Sequence, residues 1–85
     1  MSFDVARARA AFPSLHHTTT RGTTPIYFDN PAGTQVPQQV IDAVTHYYTT
    51  MNANSGGAFE TSHNSDAMVE SVRHKLAAFL NAPRP

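Results

Sequence analysis

Cysteine is absent from the 85 residues. That excludes disulfides, thiolate metal sites and a cysteine nucleophile within this chain. Lysine occurs once, at Lys75. Charge is scarce, at 14% of residues, and sums to zero with histidine neutral. No basic face therefore points to nucleic acid, and no charged block forms a tail. No apolar run approaches the roughly 18 residues that a membrane span requires. The N-terminus has no apolar stretch of signal-peptide type. Its Ala- and Arg-containing start imitates an organelle transit peptide, but Asp4 and the presence of only Arg7 and Arg9 argue against one. A soluble cytoplasmic protein is the expectation. A chain of this size buries only about 60–65% of its unfolded surface, so at most one domain with a thin core is possible.

What is present centres on Ile26 to Pro37. Ile26, Tyr27 and Phe28 have high β-propensity. Asp29, Asn30, Pro31, Ala32 and Gly33 are then a run of turn formers, and Pro37 suits the first position of a helix. The stretch is expected to be a short strand from Pro25, a tight polar loop and a helix start. Asp29 and Asn30 suit side-chain-to-backbone turns, Pro31 fixes its φ, and Gly33 permits a positive one. The plain interpretation is a connecting turn. The functional one is a wall of backbone and small side chains that a ligand approaches closely.

The remaining pattern is helical. Ser2 or Asp4 can cap a first helix that Pro13 ends at Phe12. Leu15 to Thr24 has no apolar period and is expected to be a surface connector. His16 and His17 are adjacent and point to opposite sides of an extended chain, which disfavours chelation. A second helix from Pro37 carries Val40, Val44, Tyr47, Tyr48 and Met51 on one face, widened by Ile41. Asp42 and His46 are spaced to pair on its surface. Asn52 to Ala58 ends that helix, with Asn expected as the left-handed cap. Its Gly56-Gly57 suggests a phosphate loop, but the Gly-Lys-Ser/Thr ending of that motif is missing. Thr61 or Ser62 can cap a third helix, with Asp66 near its positive end. Met68, Val72, Leu76, Phe79 and Leu80 form its apolar stripe, and Glu70 can pair with Arg73 or His74. Asn81 and Pro83 stop it. His63 and His74 lie about 16 Å apart along such a helix and cannot share a metal.

The chain as it stands is thus expected to be mainly α, with about three helices and one short strand. A lone strand cannot satisfy its backbone groups, so Ile26 to Phe28 expects a partner from outside these residues. The apolar faces of the two long helices likewise exceed what they can cover together. The expectation is a fragment of something larger. A stand-alone helical interaction module, with those faces as a partner groove, is the alternative.

The run Tyr27 to Pro37, then Val40-Ile41-Asp42-Ala43 with Tyr47-Tyr48, then Asn52-Ala53-Asn54, then Ala77 to Ala82, resembles the N-terminus of the cysteine desulfurase family. That family belongs to the class V, fold-type I enzymes that use pyridoxal phosphate. The resemblance covers Pro25 to Pro83. It implies the N-terminal fragment of an α/β, fold-type I transferase, with 1–24 as an N-terminal helix and connector. Residues 25–85 would then open the transferase domain as strand, loop, helix, loop and helix. It further implies an amino-acid substrate and a homodimer in the complete protein. Carried over by position, Asn30, Pro31, Ala32 and Gly33 match the loop lining the substrate side of the cofactor. Ser55, Gly56 and Gly57 fall in the loop, extending to Phe59, that borders the active-site entrance. Desulfurase-type members often carry His-Arg-Gly there, where this chain has Gly56-Gly57-Ala58. Desulfurase, epimerase and other lyase chemistry therefore stay open. The resemblance places the Schiff-base lysine beyond residue 85 and leaves no catalytic residue in this chain. Lys75, on a polar helix flank beside Glu70, Arg73 and His74, is expected to be an ordinary surface lysine.

Overall fold

The computed structural model describes residues 2–85. Three α-helices follow in order: α1 (Val5–Ala10), α2 (Gln38–Thr50) and α3 (Glu60–Phe79). Two short 3-10 turns, Pro13–Leu15 and Asn30–Ala32, lie between α1 and α2. The chain divides into two compact units, one ending at Val44 and the other beginning at Thr45, so the boundary falls within α2.

In the first unit, Asp4 caps α1, its Oδ1 accepting from the Arg7 N–H at 3.0 Å. The helix stops at Ala10, two residues short of Phe12. Phe12 already has β-region dihedrals, φ −107° and ψ 103°, which is the conformation that the ring of a following proline imposes. The connector is more organised than its composition suggests. His16 Nε2 lies 2.9 Å from the Arg9 carbonyl oxygen, so this histidine braces the end of α1. Thr19 and Thr23 close a turn: the Thr19 N–H donates to the Thr23 carbonyl at 2.8 Å, with Gly22 at φ +77° between them. The Gln38 N–H donates to the Ala11 carbonyl at 2.7 Å, tying the start of α2 to the end of α1.

The expected strand at Pro25 to Phe28 does not form. No strand occurs among the described residues. Ile26 and Phe28 are 79% and 93% exposed. β-propensity reflects packing on a pleated surface beside a neighbour, and no described segment offers these residues a ladder.

The two longer helices follow their apolar periods, with local departures. On α2, Asp42 takes a hydrogen bond from Gln38 Nε2 at 2.8 Å instead of pairing with His46. The Tyr47 and Tyr48 rings meet edge to face, with centroids 5.5 Å apart. Thr49 and Thr50 donate their hydroxyls back to carbonyls of the preceding turn, including His46 at 2.6 Å from Thr50 Oγ1. On α3, Glu70 pairs with His74 at 3.2 Å, both well exposed. That contact is worth a few tenths of a kcal/mol, about the usual value for an exposed pair one turn apart. The helix ends in a Schellman motif. Asn81 takes φ +54°, its N–H donates to Ala78, and the Ala82 N–H donates to Ala77. Asn is the residue other than glycine that best tolerates this left-handed position.

Among the described residues no hydrophobic side chain is buried. Val40, Val44 and Tyr48 on α2 are exposed, as are Val69, Val72, Leu76 and Phe79 on α3. Burial of apolar surface is the main force for cooperative folding, and these faces do not receive it. The isolated 85-residue chain is therefore expected to unfold in urea without a cooperative transition and to bind a hydrophobic dye such as ANS. A sigmoidal transition with a slope proper to a chain of this size, and no dye binding, would contradict this.

Candidate functional site

The first candidate loop, Asn30 to Gly33, lies in the first unit. Its turn is held by backbone alone: the Ala32 N–H donates to Asp29 at 3.0 Å and the Gly33 N–H to Asn30 at 2.9 Å. Asp29 makes no side-chain cap, so the expected side-chain turn is replaced by a 3-10 turn with Pro31 inside it. Gly33 has φ +142° and ψ 129°, a conformation essentially confined to glycine. All four residues are exposed. Asn30 also lines a cavity of about 400 Å³, together with Arg9, Phe12, Tyr27, Thr34 and Gln35. Pro31, Ala32 and Gly33 do not line it.

The second candidate loop, Ser55 to Gly57, lies in the second unit and is built differently. The helix that follows it supplies its bonds. Ser62 is fully buried, at 0% exposure. Its Oγ donates to the Asn54 carbonyl at 2.6 Å and accepts from the Gly57 N–H at 2.7 Å. Asp66 Oδ2 accepts from the Gly56 N–H at 3.0 Å. The Asp66 carboxyl is held below its ordinary range, first by that backbone N–H, then by the Ser55 hydroxyl, with a smaller contribution from His63. The left-handed residue of this loop is Gly56, at φ +78°, where an asparagine was expected.

The two glycines are needed for different reasons. A Cβ at Gly56 meets nothing within 4 Å, so only its backbone conformation excludes other residues. A Cβ at Gly57 would lie 2.7 Å from Phe59 Cε1 and 2.9 Å from Ser62 Oγ. The Phe59 ring is 56% exposed and able to move aside. The Ser62 hydroxyl is buried and bonded on both sides, and is not.

Ser62 and Asp66 thus belong to the site in roles that helix-capping logic assigns elsewhere. Neither caps α3. The helix begins at Glu60, with Phe59 at the cap position and no side-chain bond there. A serine and an aspartate one turn apart, just after Gly-Gly, is the signal that could have revealed them: side-chain acceptors facing a loop whose amides need partners. Elsewhere, no group of three histidine, aspartate or glutamate side chains among the described residues could hold a metal. Lys75 is exposed on α3.

Both candidate loops are shaped by small residues and by hydrogen bonds to their backbone. The class-V aminotransferase family model matches residues 26–85, and the chain belongs to that family. Along 81 residues it is 38% identical to a protein of Streptomyces coelicolor described as a probable cysteine desulfurase, covering 94% of this chain and 19% of that protein. A probable cysteine desulfurase of Vibrio cholerae is 37% identical, with 98% of this chain and 20% of that protein covered. The cysteine desulfurase of Synechococcus elongatus is 39% identical, with 96% and 13% covered. The chain spans about a fifth of the length of the first two relatives and less of the third. No helix among the described residues is long and apolar enough to cross a membrane.

Two results follow for the second loop. Ser62→Ala leaves a part-buried carbonyl and a part-buried N–H without their shared partner and is expected to cost about 1–3 kcal/mol. Gly56→Ala is expected to cost about 1–2 kcal/mol from its left-handed backbone. Chemical denaturation of the full-length protein checks both. The lowered Asp66 carboxyl also fixes a sign. Its stabilisation is complete above the ordinary aspartate value of 3.8 and is lost as the pH falls through the lowered folded-state value. In an NMR titration, the Asp66 carboxyl carbon is expected to show a midpoint below 3.8, with the Gly56 amide proton moving in step.

Proposed function

We propose that this chain is the N-terminal part of a pyridoxal-phosphate enzyme of the cysteine desulfurase type. Its parent would act on an amino acid by carbon–sulfur lysis and sulfur transfer, or by related class V chemistry, as a cytoplasmic homodimer. Within it, residues 25–85 open the transferase domain, and 1–24 are an N-terminal helix and connector. The start of the family match at residue 26 supports that division. The observation that carries the reading is the match along 26–85 combined with exposed apolar faces on both long helices. Such faces suit a segment that packs against more of the same protein. A free-standing interaction module accounts for the faces but not for the family match.

Pyridoxal phosphate supplies an electron sink for bonds to the amino acid's α-carbon, and its enzymes hold it through a Schiff-base lysine with an acidic partner for the ring nitrogen. The residues present do not fit that group as a whole. The sole lysine is exposed on α3, and Glu70, five residues earlier on the same helix, is paired with His74. Activation of a lysine needs desolvation or a cationic neighbour within a pocket. In this reading the chain does not carry the reactive amine. Asn30 to Gly33 and Ser55 to Gly57 contribute walls that orient the substrate and limit water, and do so without long side chains.

Lys75 provides the test. The full-length protein is incubated with pyridoxal phosphate, reduced with borohydride and mapped by peptide mass spectrometry. The pyridoxyl label is expected outside residues 1–85, and Lys75→Arg is expected to leave turnover of the amino-acid substrate within twofold. A stoichiometric label on Lys75 would overturn the reading.

A further inference from the structure

We propose that Ser62 and Asp66 are positioning residues that lock the 54–57 turn, so that it meets a ligand as bare, already satisfied backbone and selects by shape instead of by charge. This rests on the reading that the turn borders an amino-acid pocket.

A Gly-Gly turn with free amides is a ready anion site, because successive N–H groups form a concave, positively polarised nest. This turn is different. The Gly56 N–H already points to the Asp66 carboxylate at 3.0 Å, and the Gly57 N–H to Ser62 Oγ at 2.7 Å. An incoming phosphate or carboxylate would have to displace both acceptors and approach a carboxylate of its own sign. The lowered titration of Asp66 agrees with a carboxylate that stays ionised behind the turn. His63 adds a smaller effect in the same direction.

The lock also excludes side chains from the wall. Ser62 Oγ is bonded on both sides and its residue has no solvent exposure, so it cannot rotate away from Gly57 without breaking both contacts. A side chain at position 57 would collide with that oxygen. One at position 56 is opposed by φ +78°. The wall at 56–57 is therefore Cβ-free for two independent physical reasons, and both bonds that hold it come from the first two turns of α3. Moving the start of α3 would move the wall with it.

Hydrogen exchange at single amides of the full-length protein tests this. The Gly56 and Gly57 amides are expected to exchange at least tenfold slower than an unstructured peptide. Ser62→Ala is expected to release Gly57, and Asp66→Ala to release Gly56. Asp66→Asn keeps an acceptor oxygen and is expected to retain protection at Gly56. Amides of α3 from 69 to 79 serve as the control, and should be unchanged in the Asp66 variants even if Ser62→Ala disturbs the fold. Added inorganic phosphate is expected to leave both glycine amides unaltered. Free exchange at Gly56 and Gly57 in the unsubstituted protein would overturn the lock, and protection by phosphate would overturn selection by shape. For the amino acid the enzyme turns over, Asp66→Ala is expected to raise KM at least fivefold with kcat within twofold, and Asp66→Asn to restore KM. An unchanged KM would overturn the positioning role. If no amino acid is turned over, the proposed function fails, while the exchange measurements still decide the lock.

Discussion

One hydroxyl organises the second half of this chain. Ser62 Oγ sits between the Asn54 carbonyl and the Gly57 N–H at 2.6 and 2.7 Å, with no exposure to water. A buried hydroxyl is tolerable only when its hydrogen-bonding capacity is met. Here that requirement forces the loop to fold back against the helix that follows it. Asp66, one turn further along α3, repeats the arrangement at Gly56. The loop thus has an ordered shape without an apolar residue buried beneath it. Polar contacts provide the local definition that hydrophobic packing provides in most small domains.

That substitution has a consequence for α3. A serine near the start of a helix ordinarily offers its oxygen to the helix's own unpaired amides. Ser62 is spent on the loop, and Phe59 begins the helix with only its backbone carbonyl accepting from His63. The helix holds because it is twenty residues long and closes with a full Schellman motif at Asn81. A strong C-terminus and a long hydrogen-bonded ladder leave the first turn free to serve the loop. α1 is the reverse case. It has only six residues and needs Asp4 at its N-terminus and His16 against its last turn.

How far these elements can be seen in the residues alone depends on whether their causes are local. The two long helices follow from periodic apolar positions, and their ends from Pro37, Asn81 and Pro83. All of these act within a few residues. The geometry at Phe12 follows from Pro13 in the same way. The Ile26–Phe28 strand does not form because a strand is not a local object: its propensity becomes structure only when a second backbone lies alongside. The pairing of Asp42 failed for a smaller reason, since Gln38 competes from the preceding turn. For the candidate loops, glycine and proline marked where turns occur, but not what fastens them. Ser62 and Asp66 were legible as helix-start residues and illegible as loop partners. Which of two nearby sets of amides a side chain serves depends on the path of the loop, and Gly56 at φ +78° sets that path.

The same distinction between local and distant causes bears on function. A loop can be specified locally: at Ser55 to Gly57, two glycine positions and a clasp from the next helix suffice to shape it. A reactive amine cannot. It requires burial or charges gathered from elsewhere in the protein, and Lys75 lies exposed on α3. With no hydrophobic side chain buried among its described residues, the chain still holds a defined loop, which in the proposed reading serves a larger enzyme. Packing α2 and α3 against further polypeptide would supply that burial. In the proposed reading, the loop attached to α3 would then enter the assembled pocket with its shape already set by Ser62 and Asp66.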